Sequence, residues 1–318
     1  MKQFLYIVVV VLCGCTPSLQ HIPATITQCH DIPVGRASAM AWSVGGKGYL
    51  FGGRDSTNAL HNDLWEYDPV KDFWKQIDDN TPLTPRVNGV ACTIGERVYL
   101  GLGFHQSIHL DSSYLRDWWE YNPINNEWKQ LANFPNKNTV KPIAYVQEDK
   151  IYCVHGFGTG FTAEIIAYDI ATDQWELITQ HSRNDIMCMA GTGATLHGRS
   201  YYGTGFNTMN LNTWFEIGFD GEWEKRANVP GKRQLATCVT TANNIYLIGG
   251  RKFGGTQTDG EVYNDILRYN IQDDSWTHAG STTYPSENTF GFSINHSAYM
   301  GGGENADGIL TTLYRIED

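Results

Sequence analysis

The chain of 318 residues carries 23 Lys and Arg against 34 Asp and Glu, a formal net charge of −11. With no basic cluster in the sequence, that balance excludes nucleic acid as a partner, because binding a polyanion relies on a basic surface. Apolar residues make up 41% and aromatic residues 13%, enough for a large core, and the 33 Gly, 17 Tyr and 10 Trp favour strands and tight turns over helices.

Residues 1–14 read as an export signal. Lys2 supplies the positive start, and the apolar run from Phe4 to Leu12 is shorter than the ~20 residues a membrane-spanning helix needs. The run ends in Leu12-Cys13-Gly14-Cys15, which resembles the lipobox of bacterial lipoproteins. That resemblance implies cleavage before Cys15, lipidation of this cysteine and a lipid anchor in the bacterial cell envelope. By resemblance to enteric lipoproteins, Thr16 after the cysteine implies the outer membrane, with the periplasmic or surface face left open. The plainer alternative is an ordinary signal peptide with a chance cysteine. Residues 15–23 are then a tether. The remaining cysteines, Cys29, Cys92, Cys153, Cys188 and Cys238, are odd in number and show no CxxC pair, so they read as small hydrophobes rather than a disulfide framework.

From residue 24 onward the chain repeats itself at intervals of about 50 residues. Tyr49, Tyr99, Tyr152, Tyr201, Tyr246 and Tyr299 are each followed four positions later by a glycine: Gly53, Gly103, Gly156, Gly205, Gly250 and Gly303. A second aromatic follows in each unit (Tyr67, Tyr121, Tyr168, Phe219, Tyr269 and Tyr314), usually before Asp or Asn. In four units a tryptophan stands seven residues further on: Trp74, Trp128, Trp175 and Trp276. In the fourth unit the turn is shorter, and Trp223 fills the role. Asp68-Pro69 and Asn122-Pro123 open polar turns between alternating apolar runs, which predicts hairpins over 64–77 and 118–131. Each unit therefore predicts four short antiparallel strands. One such sheet cannot cover its own faces, but sheets stacked around an axis can.

The paired glycines, the preceding tyrosine and the spaced tryptophan resemble the kelch β-propeller family over residues 24–318. The resemblance implies an all-β, six-bladed kelch-type propeller. The sixth unit stops before its tryptophan, whereas Ala24 to Ile32 precede the first unit with no partner of their own. The N-terminal strand is therefore predicted to complete the last blade and close the ring.

Two loops of each unit are predicted to meet around the axial mouth. Thirteen residues before each repeat tyrosine stand Arg36, Arg86, Thr139, Cys188, Arg233 and Ser286. Lys141 lies near the third of these, and Arg183, Asn184 and Asp185 offer another register in the fourth unit. Directly after the repeat glycine stand Arg54, Phe104, Phe157, Phe206, Arg251 and Glu304. With Asn288 and Asn305 added, half of the mouth is predicted cationic around one carboxylate and the other half aromatic. Guanidinium forks suit a carboxylate or phosphate, and aromatic faces suit the C–H face of a sugar. The plainer alternatives are that the arginines pair with acidic neighbours, that the phenylalanines plug the channel and that Glu304 balances charge.

Two functions follow. The first is a binding module that takes an anionic small molecule, a glycan or a protein or peptide partner at its mouth. The second comes from size, blade count and export, in which the chain resembles the bacterial sialate mutarotases, also called N-acetylneuraminate epimerases. That resemblance implies anomer interconversion of sialic acid without a cofactor, with Glu304 as the catalytic proton carrier and an arginine holding the sugar carboxylate. In that family the Glu and Arg share one long loop. Here the first arginine after Glu304 is Arg315, so Arg36 or Arg54 of the next blade has to serve. His105, His109, Asp111 and His155 lie on loops where helical spacing loses its meaning, so no metal is expected. The Gly-rich stretch 191–198 lacks the Lys-Ser/Thr of a phosphate loop, and no GxSxG elbow is present.

Overall fold

The strand that carries each repeat tyrosine is covered on both faces: Tyr49, Leu50 and Phe51 are buried in succession, as are Tyr246, Leu247 and Ile248. An antiparallel strand with one wet face would alternate instead, so these strands must lie between stacked sheets. The computed structural model shows that stacking. It describes residues 19–105, 113–135, 141–157, 161–180, 188–218, 221–255 and 259–318. The export signal, Cys15, His109, Asp111, Arg183, Asn184 and Asp185 lie outside the described residues.

The fold is a six-bladed β-propeller of four-stranded antiparallel sheets. Blade 1 comprises Met40–Val44, Lys47–Phe51, Leu64–Asp68 and Phe73–Asp78, and blade 2 Val90–Ile94, Arg97–Gly101, Trp118–Asn122 and Glu127–Leu131. Blade 3 comprises Ile143–Gln147, Lys150–Phe157, Phe161–Asp169 and Gln174–Gln180, and blade 4 Thr192–Leu196, Arg199–Gly203, Trp214–Ile217 and Trp223–Lys225. Blade 5 comprises Thr237–Thr240, Asn244–Ile248, Asp265–Asn270 and Ser275–Ser281. The chain ends in blade 6, with Phe290–Ile294, Ser297–Gly301 and Leu313–Glu317. The first strands of successive blades pack side by side around the axis, that of blade 6 against that of blade 1.

The predicted closure holds. Thr25–Gln28 is the outer strand of blade 6, with Thr25 opposite Glu317 and Gln28 opposite Tyr314. Further backbone bonds from Cys29 to Leu313 (2.8 Å) and Ile32 to Thr311 (2.8 Å) continue the seam. The chain is also pinned earlier than a tether ending at residue 23 implies. Ile22 donates to the His278 carbonyl and Ala24 to that of Ala279, each at 2.9 Å, so this segment runs along blade 5 before crossing to blade 6.

The buried apolar side chains fall into six clusters, one at each junction between blades. The seam between blades 6 and 1 is filled like the others, by Leu50, Tyr67, Trp74, Phe290, Phe292 and Tyr299. Polar clamps reinforce the junctions. Tyr168 donates to Asp173 (2.7 Å), whose carboxylate also accepts the backbone N–H of Ala132 from blade 2 (2.9 Å). Trp175 completes the clamp by donating to the Ala132 carbonyl at 2.8 Å. Tyr269, Asp274 and Trp276 of blade 5 hold Ala227 of blade 4 in the same way. In blade 1, Tyr67 and Asp72 grip His30, which follows the N-terminal strand (2.7 and 2.8 Å). Blade 1 thus treats residue 30 as the exit of blade 6.

In blades 1, 4, 5 and 6 the repeat glycine ties its blade to the next. Gly303, at φ +83°, donates its N–H to the Arg36 carbonyl of blade 1 at 2.7 Å. A Cβ at Gly303 would stand 2.6 Å from the Glu287 carbonyl oxygen, so glycine is required by both conformation and space.

Deleting residues 19–28 is expected to lower the thermal midpoint by roughly 10 °C or more, because it removes a strand and reopens one junction. It should also strip hydrogen-exchange protection from Leu313–Glu317. An unchanged midpoint with Leu313–Glu317 still protected would contradict the closure.

Candidate functional site

Three of the arginines predicted at the mouth face inward instead. Arg36, Arg86 and Arg233 are 2%, 1% and 1% exposed. Arg86 makes a two-pronged pair with Asp117 (both bonds 2.7 Å), and Arg233 does the same with Asp265 (2.6 and 2.9 Å). Arg36 bonds Asp63 at 2.6 Å, an oxygen that also accepts the Trp65 indole N–H at 2.8 Å. These pairs join the start of a blade to its third strand and leave the guanidinium groups no surface on which to receive a ligand.

The rim of the axis is a belt of six equivalent residues: Ser38, Asn88, Lys141, Ala190, Leu235 and Asn288, all left-handed with φ between +53° and +60°. Among the described residues, the N–H of Asn88, Ser38, Asn288 and Leu235 donate in turn to the carbonyls of Ser38, Asn288, Leu235 and Ala190. Each link joins neighbouring blades. The belt therefore fixes how far each mouth residue stands from its neighbours.

Outside the belt stand the post-glycine residues. Arg54, Phe104, Phe206, Arg251 and Glu304 each bridge the backbone of the residue one after the strand-start position: Ala37, Val87, Met189, Gln234 and Glu287. Phe104 and Phe206 are half-buried on blades 2 and 4. Phe157 lies in the second strand of blade 3, opposite Phe161, and its side chain lies outside the described residues. Phe206 meets Phe253 edge-to-face with ring centroids 5.4 Å apart.

Two hairpins project from the cationic half and were not anticipated. One pairs Arg251–Phe253 with Gly260–Val262 in blade 5, and the other pairs Glu304–Asn305 with Gly308–Ile309 in blade 6. Asn210 of blade 4 braces the first by exchanging two 2.9 Å hydrogen bonds with the Phe253 backbone. A cavity of ≈ 840 Å³ lies between the hairpins, within the size range of small-molecule sites. Arg54, Gln234, Arg251, Glu287, Asn288, Glu304, Asn305 and Asp307 supply its polar lining, and Phe253, Val262 and Pro285 its apolar wall.

Charges alternate around this cleft. Arg54 of blade 1 is ion-paired with Glu304 of blade 6. The other Glu304 oxygen, Oε1, accepts the Asn288 amide N–H at 2.8 Å. Arg251 of blade 5 pairs with Glu287 of blade 6 at 3.1 Å. Glu287 is 7% exposed, and its Oε2 has no hydrogen-bond partner among the described residues. Burial pushes the Glu287 carboxyl above the usual range, and the nearby Glu304 adds to that, against Arg251, Lys141 and Arg54. From blade 3, across the axis, Lys141 Nζ reaches Asn288 Oδ1 at 3.3 Å. Burial brings its ammonium down to about 8, although Glu287 and Glu304 oppose the shift.

Of the predicted site residues, the structure brings Arg54, Arg251, Asn288, Glu304 and Asn305 together. It separates them from Arg36, Arg86 and Arg233, and sets Phe104 and Phe206 on other blades. Glu287 was missed, although its position was within reach: it follows Ser286 and faces Glu304 through two backbone bonds of 3.0 and 2.9 Å. Among the described residues no group of three or more His, Cys, Asp or Glu converges as a metal site would.

Arg86→Leu is expected to cost about 3–5 kcal/mol in urea unfolding, because it leaves Asp117 beside an apolar wall with its partner gone. A loss below about 1 kcal/mol would mean that the pair is not structural.

Comparison with known proteins places the chain among repeat proteins. The KLHDC2/KLHL20/DRC7 Kelch-repeats domain matches residues 23–205, and the Kelch motif matches residues 232–283. Kelch-like protein 25 of Xenopus tropicalis is 23% identical over 285 residues, 86% of this chain and 46% of that protein. Kelch-like protein 25 of Rattus norvegicus is 24% identical over 281 residues, with the same coverage of each. Kelch domain-containing protein 3 of Homo sapiens is 34% identical over 71 residues, 22% of this chain and 19% of that one. The chain spans about half the length of the Kelch-like protein 25 relatives. The solved structure of YjhT superposes with a TM-score of 0.73, covering 91% of this chain and 99% of that one at 16% identity, which is a likeness of fold.

Proposed function

The chain belongs to the kelch-repeat family, whose propellers commonly bind partners, and from that premise we propose that it is a binding protein for a small anionic polar ligand. The ligand site is the cleft between the blade 5 and blade 6 hairpins. The observation that carries this reading is the convergence of Arg54, Arg251, Glu287 and Glu304 from blades 1, 5 and 6 on one cavity of ≈ 840 Å³, with Lys141 of blade 3 lining the adjoining space at the axis. The Arg54–Glu304 pair is partly open to solvent, so a carboxylate can compete for Arg54 at small cost, while Arg251 stays held by the buried Glu287. The apolar wall of Phe253, Val262 and Pro285 suits the C–H face of a sugar acid or the tip of a peptide. The size of the cleft favours such a ligand over a flat protein face. On this reading the chain is exported through residues 1–14 and lipid-anchored at Cys15 in the bacterial outer membrane. The motif Leu12-Cys13-Gly14-Cys15 supports that part.

One observation favours a second reading, sialic acid mutarotation without a cofactor. Glu304 has an arginine beside it, Arg54 from the neighbouring blade, and Asn288 fixes its other oxygen. A carboxylate held in this way can pass a proton between the anomeric and ring oxygens while an arginine holds the sugar carboxylate.

Titration calorimetry of the full chain with N-acetylneuraminate and gluconate is expected to show binding, with none for sorbitol. Arg251→Ala should weaken that binding about tenfold, or ~1.4 kcal/mol. No heat with either acid would overturn the binding reading. For the second reading, proton NMR of freshly dissolved N-acetylneuraminate is expected to show faster anomer equilibration with the protein. Glu304→Gln should abolish that acceleration with the melting temperature unchanged, whereas a rate equal to the blank for the wild type would rule mutarotation out.

A further inference from the structure

The belt around the axis asks the same backbone conformation of six residues, and a left-handed φ favours Gly or Asn. Lys141 is the charged member of that belt, at φ +53°. Nothing in the backbone requirement selects a long cation there, so the reason for lysine lies in what its ammonium does.

That ammonium spans the axis from blade 3 to Asn288 of blade 6, at 3.3 Å. An ammonium carries three donors, and this is the one hydrogen bond it makes among the described residues. The carboxylates nearest it are already engaged, Glu304 with Arg54 and Glu287 with Arg251. Arg54 and Arg251 are thus matched by Glu304 and Glu287, which leaves Lys141 without an ion pair among the described residues; the third carboxylate of the cleft, Asp307, is exposed on the turn of the blade 6 hairpin. Beside Lys141, a space of ≈ 170 Å³ opens on the axis, lined from all six blades. It shares Leu235 and Asn288 with the larger cleft. At roughly 30 Å³ per water, it has room for a carboxylate with several waters.

We infer that Lys141 is the anion-receiving residue of the mouth: a ligand lying between the two hairpins directs its carboxylate to the axis and onto this ammonium. The inference rests on the cleft being the ligand site, and it names what that site selects. Arg251 and Asn305 contact the body of the ligand, while Lys141 requires a negative charge at the end that reaches the axis. A neutral ligand of the same shape leaves the spare donors of Lys141 unmet and is rejected.

The charged groups facing Lys141 are Glu287, Glu304 and Arg54, with Arg251 held behind Glu287. Burial places the ammonium at about 8, so it is charged below that pH and neutral above it. Binding should therefore be tight below and lost above.

The test is calorimetric titration of the full chain with gluconate at about pH 6.5 and about pH 9.5, for the wild type, Lys141→Arg and Lys141→Met. The wild type is expected to bind roughly 30-fold more weakly at the higher pH, since about one ammonium in thirty then keeps its proton. Lys141→Arg should bind equally at both, because a guanidinium stays charged. Lys141→Met should bind weakly at both, with thermal melts reporting its fold. If Lys141→Met does not fold, the flat profile of Lys141→Arg beside the sloping wild type decides. Wild-type binding that is flat across pH, or matched by Lys141→Met, would overturn the role of Lys141 and leave the cleft as the site. No wild-type binding at either pH would overturn the cleft reading as well.

Discussion

The pairing of Thr25–Gln28 with Leu313–Glu317 is the constraint on which the rest of this propeller depends. A ring of sheets has no stable edge until the last blade is complete, because each sheet buries its faces only against two neighbours. The N-terminal strand completes it, and the consequence is visible one blade further on. The blade 1 clamp of Tyr67 and Asp72 finds His30 where its counterparts in blades 3 and 5 find Ala132 and Ala227. With the ring closed, the left-handed belt around the axis can run from blade 6 to blade 1, Ser38 bonding to Asn288 at 2.8 Å. The mouth residues then have fixed separations.

On that scaffold the blades are free to diverge at the position after the repeat glycine. The position after the repeat glycine makes its contacts through backbone groups, as Arg54 does with Ala37 and Glu304 with Glu287. Its side chain is therefore free to vary, and it reads Arg, Phe, Phe, Phe, Arg and Glu around the ring. The polarity of the mouth follows from this freedom. Blades 5, 6 and 1 bring two arginines and two glutamates together, and the hairpins of blades 5 and 6 turn that charged patch into a cleft.

Much of this was legible in the sequence, for physical reasons. The spacing of Tyr49 and Gly53, and of Tyr67 and Trp74, is set inside one blade, so it recurs and can be counted. Closure could be read from a missing tryptophan at one end and an unpaired strand at the other. The misreading of Arg36, Arg86 and Arg233 has an equally definite cause. Their position near the axis was right, but their partners Asp63, Asp117 and Asp265 lie far along the chain at the start of the third strand. Only the folded sheet brings the two together, and a paired buried arginine looks the same in sequence as a ligand-binding one. Lys141 is visible in the sequence as a neighbour of Thr139, the third of the mouth positions, but its role is not, for the opposite reason. Its backbone belongs to the aromatic half of the ring, and its side chain crosses the axis to the charged half. A one-dimensional count cannot show a reach of that kind.

On the proposed reading, the charged half of the mouth, between the hairpins of blades 5 and 6, is where this propeller meets its ligand. A crystal structure of the full chain soaked with gluconate addresses it most directly. A carboxylate is expected at the axis beside Lys141, with the remainder of the molecule between Arg251 and Asn305. Gluconate bound on the aromatic side by Phe104 and Phe206, or on the opposite face of the ring, would contradict it.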